Sequence, residues 1–211
     1  MTNLERLLLN ASPSLSEREP EICEHSRKMA GVLADQLFGM LCRRNGFYAL
    51  ESALHVFPAQ SNQHEIGIVD WNESILWRSD YRGMADGCLF FAEDVFGGQF
   101  CIKDNKIYTF DPETGGVEFL ADDIESWAQI LLSDYEVLTG YPLAHQWQEQ
   151  NGKLPAAKRL LPKVPFILGG EFVLENLYLA DAVKGMKSRA NIANQIKDLP
   201  DGAGVGFSFD G

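Results

Sequence analysis

Four short strand-like runs follow one another between residues 88 and 120, and this spacing restricts the chain to folds built on an antiparallel sheet. Residues 88–92 are apolar and β-prone throughout. Residues 98–103 alternate through Phe100 and Ile102, residues 106–111 carry Ile107, Tyr108 and Phe110, and residues 117–120 follow. Asp104 and Asn105 fit a two-residue hairpin connection, because Asp and Asn tolerate positive φ. Residues 111–116, with Pro112, Gly115 and Gly116, supply the next turn. The runs are joined locally, without the helical crossovers that a parallel sheet needs. The expected architecture is therefore α+β: an antiparallel β-meander packed by helices.

The flanking segments supply those helices. Met29, Leu33, Leu37, Met40 and Leu41 recur at helical spacing and predict a helix over residues 26–44, with Arg43 and Arg44 at the negative end of its dipole. Leu50, Leu54, Val56 and Phe57 form a short apolar segment that ends in a loop at Pro58, and Trp71, Ile75 and Tyr81 predict a second helix over 70–81. Asp122 with Glu125 three residues on forms a capping-box-like start for a helix through Ile124, Trp127, Ile130 and Leu131. Tyr141 and Pro142 open another that ends near Gly152. Pro155, Pro162 and Pro165 predict an extended connector, Asp181 caps a last helix through Val183, Met186, Ile192 and Ile196, and Val205, Phe207 and Phe209 alternate as a terminal strand. The chain of 211 residues is long enough for one sizeable core. It divides into a loosely packed lead-in over 1–25, a core over 26–135 and a C-terminal extension over 136–211 packed on that core.

Charge narrows the partners. The net charge is −12. Residues 107–152 contain no Lys or Arg, while Asp111, Glu113, Glu118, Asp122, Asp123, Glu125, Asp134, Glu136 and Glu149 make the middle of the chain an acidic block. Such a field repels nucleic acid, whose binding depends on Lys and Arg neutralising phosphates, and draws in a basic protein. No stretch approaches the roughly 20 apolar residues of a membrane span. The N-terminal leucines are interrupted by Glu5 and Arg6 and do not read as a secretory signal. Cys23, Cys42, Cys88 and Cys101 are scattered without a metal or disulfide pattern, which suits a cytoplasmic location.

No spacing in the chain calls for chemistry. His25, His55, His64 and His145 fall in no ligand pattern, and no serine stands in a nucleophile elbow. Cys88 and Cys101 lie on expected strands, where a buried inert thiol is the common case. The glycine string of residues 202–206 and the pair Gly97 and Gly98 open no helix, so neither is a phosphate loop. The adjacent carboxylates Glu93–Asp94 and Asp122–Asp123 are the remaining enzymatic candidates, and adjacent acids are usually caps or solvated faces. No catalytic residue, cofactor or metal is expected. Asp80, Glu93, Asp94, Asp111 and Glu113, at turns around the meander, are the candidate partner contacts.

Leu89, Phe90 and Phe91, the Glu93–Asp94 end of the strand, Gly97 and Gly98, the strand through Phe100 and Ile102, the turn from Asp111 to Gly115 and the helix with Trp127 form a connected pattern. Over residues 26–135 it resembles the SUKH (Smi/Knr-like) superfamily, and Leu54 to Pro58 resembles that group's short upstream segment. Arg159–Leu160, Gly169–Gly170–Glu171 and Asn176–Leu177–Tyr178 are similar to a bacterial branch with an added layer. The resemblance implies an immunity protein that neutralises a cognate toxin by binding it, and the acidic block suits a basic toxin such as a nuclease. It leaves two other readings open: a general interaction or scaffold protein of the same fold, and a carboxylate-dependent hydrolase.

Overall fold

The structure is a computed structural model, and it describes residues 1–200. The expected strand through Val205, Phe207 and Phe209 and the 202–206 glycine string lie outside the described residues. Helix α1 (Asn3–Leu9) is followed by α2 (Glu24–Ala30) and α3 (Ala34–Arg43), then by strands β1 (Phe47–Ala49) and β2 (Leu54–Val56) and the single turn α4 (Ile68–Trp71). Strands β3 (Leu89–Asp94), β4 (Gln99–Lys103), β5 (Lys106–Phe110) and β6 (Val117–Ala121) come next. Helices α5 (Ile124–Ser133), α6 (Tyr135–Thr139) and α7 (Tyr141–Asn151), strands β7 (Lys158–Pro162) and β8 (Leu177–Asp181) and helix α8 (Ala182–Ile196) follow within the described residues.

Strands β1 to β6 form one six-stranded antiparallel sheet in sequence order, so the meander expected from residues 88–120 is present and extends to two earlier strands. Residues 50–57, read from the sequence as an apolar segment and loop, supply β2 and a turn in which Leu50, Glu51 and Ser52 all have positive φ. Asp104 and Asn105 form the β4–β5 hairpin with φ of 48° and 62°, as a two-residue primed turn requires.

Every residue from Leu89 to Glu93 is buried because both faces of the sheet are covered. On one face Trp127 of α5 meets Phe91 and Phe100 edge-on, with ring centroids 5.2 and 5.8 Å apart. On the other, Trp77 and Tyr81 pack against Phe90 and Phe110, and the Tyr81 hydroxyl donates to the backbone oxygens of Pro112 and of Met186 on α8. Strands β7 and β8 form a separate two-stranded sheet. It docks on the turn after β3, where the Leu160 amide donates to the Val95 oxygen at 2.8 Å. A smaller apolar cluster of Ala53, Val95, Ala144, Leu154, Leu160 and Leu177 lies beneath that contact.

Several local expectations are corrected. The 26–44 helix is broken into α2 and α3 at Gly31, whose φ is +56° and whose missing side chain leaves room for Asn105 Oδ1, which accepts from the Val32 amide. The 70–81 helix is replaced by α4 and a 3₁₀ turn at Arg78–Tyr81, because Trp71, Trp77 and Tyr81 are drawn into the same core from positions that one helix cannot share. Helix α5 is capped by Asp123, which accepts from the Ser126 amide, whereas Asp122 pairs with Lys106 of β5. The connector through Pro155 and Pro162 contains strand β7.

The 1–25 lead-in is also more ordered than its composition suggests. Leu4, Leu7 and Leu8 are buried, and the Glu125 carboxylate on α5 accepts from the Asn3 and Leu4 amides, satisfying two of the open donors at the start of α1. No helix among the described residues is long and apolar enough to cross a membrane. Substituting Leu7, which is fully buried, by Ala is expected to cost about 3 kcal/mol in urea unfolding. The same change at Leu9, 72% exposed, is expected to stay within about 0.5 kcal/mol. Equal effects would mean that α1 is not held by its packing.

Candidate functional site

Two features stand side by side at the end of the meander: a buried polar row and an open cleft. The row follows from strand register. Tyr48 of β1 pairs with His55 of β2, His55 with Glu93 of β3, and Glu93 with Gln99 of β4. Tyr48 and His55 stack with ring centroids 4.3 Å apart, His55 Nδ1 lies 3.0 Å from Glu93 Oε1, and Gln99 Nε2 donates to Glu93 Oε2. Trp71 Nε1 donates to Gln99 Oε1 at 2.9 Å, and the Tyr48 hydroxyl donates to Glu65.

Arg159 enters this row from β7 and is fully buried. Its Nη2 stands 2.7 Å from Glu93 Oε1, and its guanidinium lies over the Tyr48 ring at 5.5 Å. Burial pushes the Glu93 carboxyl upward, but Arg159 and His55 outweigh it and hold it below its ordinary value. Burial likewise works against the Arg159 charge, and Glu93 restores it. His55 has been desolvated enough to sit at about 4, so near neutral pH its ring is uncharged and its Nδ1–H donates to Glu93. Glu65 is pushed up by burial.

The cleft lies next to this row, where the β3–β4 and β5–β6 turns meet. It has a volume of about 500 Å³, with Phe100, Thr109 and Phe110 among its floor residues, Val137 and Leu138 of α6 on one side and Phe166, Ile167 and Phe172 on the other. Asp94, Asp111, Glu113 and Glu118 supply its carboxylates and Arg189 of α8 its one cation. Asp94 Oδ1 accepts from the Phe96 and Gly98 amides, both at 2.8 Å, and so shapes the β3–β4 turn. Desolvation pushes its carboxyl up to about 7. Gly97, with φ +79°, leaves the space that Arg189 Nη2 occupies, and Arg189 Nη1 donates to the Phe96 oxygen at 2.6 Å. The Asp111 carboxylate accepts from the Glu113 amide and the Thr114 hydroxyl.

The wall that carries Phe166 and Phe172 is a loop over residues 163–176, rigidified from within. Asn176 accepts from the Val164 amide through Oδ1 and donates through Nδ2 to the Val164 and Glu171 oxygens. Phe166 and Phe172 stack face to face at 3.8 Å, and Phe96 meets both edge-on. This preformed loop leaves Val164, Ile167, Phe172 and Val173 exposed, with Tyr178 and Leu179 on the adjoining strand.

Of the five expected partner contacts, the structure brings Asp94, Asp111 and Glu113 together in the cleft. Asp80 is exposed in a separate polar groove beside α8, where Asn194 donates to its backbone oxygen. Glu93 is corrected outright: it is 1% exposed and cannot touch a partner, because the β7–β8 hairpin folds over its strand and delivers Arg159 to it. Glu113 is buried too, held by the Ile167 amide on Oε2. Sequence reasoning missed His55, Glu65, Arg159 and Arg189 because each acts through a partner distant in the chain. The visible trace was an arginine standing before the apolar pair Leu160 and Leu161. Among the described residues no three His, Cys, Asp or Glu side chains gather as a metal-binding group. Each carboxylate of the two adjacent pairs has a structural partner: Arg159, the β3–β4 turn, Lys106 and the start of α5.

No protein-family model matches the sequence, and no curated protein matches it significantly. The structure is similar to the crystal structure of Atu4351 from Agrobacterium tumefaciens, with a TM-score of 0.57 over 88% of this chain and 87% of that one, at 16% sequence identity. That likeness shows a shared α+β fold.

The polar row and the cleft each generate a test. Arg159→Ala strands Glu93 without its cation, and urea unfolding is expected to register a loss of about 3–5 kcal/mol. Arg159→Met combined with Glu93→Met removes both charges and is expected to lose less than the sum of the two single changes, though it leaves the His55 and Gln99 donors without Glu93, whereas additive losses would show the pair to be uncoupled.

For pH, Asp94 holds its proton more tightly folded than unfolded, so its contribution to stability falls as pH rises from about 4 to about 7. His55, lowered to about 4, contributes stability that is complete above about 6.5 and is lost as pH falls toward 4. The two oppose each other. Asp94→Asn keeps the oxygen that accepts from the turn amides and removes one side, so its stability relative to the parent is expected to climb by about 3 kcal/mol between pH 4 and 7. A flat difference would show that Asp94 titrates normally.

Proposed function

We propose that this protein is a non-catalytic binding protein of the SUKH type, a cytoplasmic immunity protein that neutralises a cognate basic toxin by covering its working surface. The observation that carries the reading is the preformed apolar loop over 163–176 beside an acid-lined cleft. An exposed apolar surface costs solubility unless something covers it, and contiguous patches of this kind mark interaction sites. Here Phe172 is 63% and Ile167 48% exposed, yet the loop beneath them is locked by Asn176 and by the Phe166–Phe172 stack. A surface already in its bound shape gives up little entropy on association. The acidic block adds a long-range attraction for a basic partner, which raises the rate of encounter more than the final affinity.

Covering an active site needs no chemistry in the inhibitor. An interface of roughly 1,600 Å² suffices for a stable complex, and the loop, the cleft rim and α6 with exposed Val137 lie together around one opening.

The decisive experiment pairs the protein with any toxin found encoded beside its gene. A stable complex is expected, together with survival of cells that express both. Ile167→Asp is expected to weaken the complex about ten-fold or more with little change in melting temperature, whereas Phe172→Ala, which also removes the stack on Phe166, is expected to weaken it with some loss of stability. Raising salt is expected to slow association. If the toxin neither binds nor is neutralised, the immunity reading is wrong. Capture of several host proteins in its place would favour the general interaction role.

A further inference from the structure

We propose that the cleft is a subsite for a single arginine side chain, presented on an apolar stretch of the partner. This inference rests on the binding reading above and names the chemistry that the cleft selects. Four carboxyl groups line it against one guanidinium, Asp111 and Glu118 towards the rim and Asp94 and Glu113 deeper, where burial pushes both carboxyls upward. That guanidinium is already committed: Arg189 donates from Nη1 to the Phe96 oxygen and from Nε to the Gly185 oxygen, it is 6% exposed, and no carboxylate among the described residues lies within 4 Å of it. It holds the backbone of the cleft together and leaves the carboxylates unpaired.

Glu113 supplies the second and independent observation. It is 4% exposed and lines the cleft. Its Oε2 accepts from the Ile167 amide at 2.9 Å, whereas Oε1 is buried without any hydrogen-bond partner. A buried carboxylate oxygen without a donor is costly; burial pushes Glu113 toward holding its proton, and a charged donor brought by a ligand stabilises the ionised form instead. On the rim, Glu118 makes no side-chain hydrogen bond among the described residues and Asp111 keeps open positions on its oxygens beyond the Glu113 and Thr114 donors.

The walls decide which cation. Phe96, Phe166 and Phe172 form an aromatic side, with Phe172 open to solvent beyond its stacked face. A guanidinium is weakly hydrated, stacks on aromatic faces and carries five N–H donors, enough to serve Glu113 and a rim carboxylate together. The aliphatic stem of arginine matches Val137, Leu138 and Ile167 along the entrance. An ammonium group satisfies the charge and can reach an aromatic face, but it is more strongly hydrated, has no plane to stack and lacks the fixed fork of donors that spans two acceptors set apart.

The test uses the whole chain and three peptides: acetyl-Leu-Arg-Val-amide, its lysine counterpart and its glutamine counterpart, each titrated to about 10 mM and followed by amide chemical shifts. The arginine peptide is expected to move the amides of Gly98, Thr114, Ile167 and Phe172 and to bind about ten-fold more tightly than the glutamine peptide, with lysine between them. Glu113→Gln is expected to weaken the arginine peptide about five-fold or more, and Glu118→Gln to weaken it less. Asp35→Asn, a remote exposed acid paired with Arg27, is expected to leave it unchanged.

Equal binding of the arginine and glutamine peptides, equal losses from Glu113→Gln and Asp35→Asn, shifts confined to other surfaces or no shift at all would each overturn the proposal. A protein that binds the arginine peptide in the cleft but neutralises no toxin keeps the subsite and loses the immunity reading. A toxin complex that forms while the peptide test fails does the opposite.

Discussion

Arg159 brings a full positive charge to a place with no solvent, and it is held there by Glu93 at 2.7 Å. Its position decides more than one contact. Glu93 belongs to a row of side chains in register across β1 to β4, so the ion pair ties strand β7 to four strands of the main sheet at once. Replacing such a pair with hydrophobic residues costs little, whereas removing one member is severe. The pair therefore specifies placement more than it adds stability: the β7–β8 hairpin has one register on the sheet in which Arg159 meets its carboxylate. The loop over 163–176 follows β7 directly, so the same constraint sets where Phe166 and Phe172 stand against Phe96.

Arg189 does a similar task from α8 with backbone oxygens in place of a carboxylate. Its bond to the Phe96 oxygen fixes the β3–β4 turn from below, while Asp94 fixes it from within through the Phe96 and Gly98 amides. The turn is thus held from two sides by the chain itself. Two arginines from the C-terminal part hold the end of the meander, and the cleft is the space left between the elements they position.

The meander was legible in the sequence because its strands are adjacent, and each register is set by a short turn with recognisable chemistry, as at Asp104 and Asn105. The Tyr141 start of α7 and the Asp181 cap of α8 were readable for the same reason: both are local. Strands β1 and β2 were not, since three residues each leave no period to detect and the three left-handed residues between them, Leu50, Glu51 and Ser52, carry no glycine to announce a turn. The stretch from Trp71 to Tyr81 misled in a different way. Its aromatics share a core without sharing a helix face, and periodicity cannot distinguish those cases. The candidate site was half legible: Asp94, Asp111 and Glu113 were visible as turn acids, but the apolar wall and both arginines depend on how distant segments dock.

The acidic block changes meaning once its members are placed. Glu125 closes the start of α1, Asp123 caps α5 and Asp122 pairs with Lys106, so three of the nine carboxylates hold the fold together. Asp111, Glu113 and Glu118 go to the cleft. A run of acids with no intervening Lys or Arg reads from the sequence as one field, and it acts as one only out to about a Debye length, beyond which salt screens it. At contact distance the distinction matters, because a carboxylate already bonded to helix amides has little left to offer a ligand while Glu113 Oε1 has no partner. The long-range field can bring a basic surface close, but the local arrangement must select the side chain that enters. On the proposed binding reading that selection falls to the few carboxylates the fold does not use, set beside an aromatic wall that an arginine in the Glu93 row keeps in place.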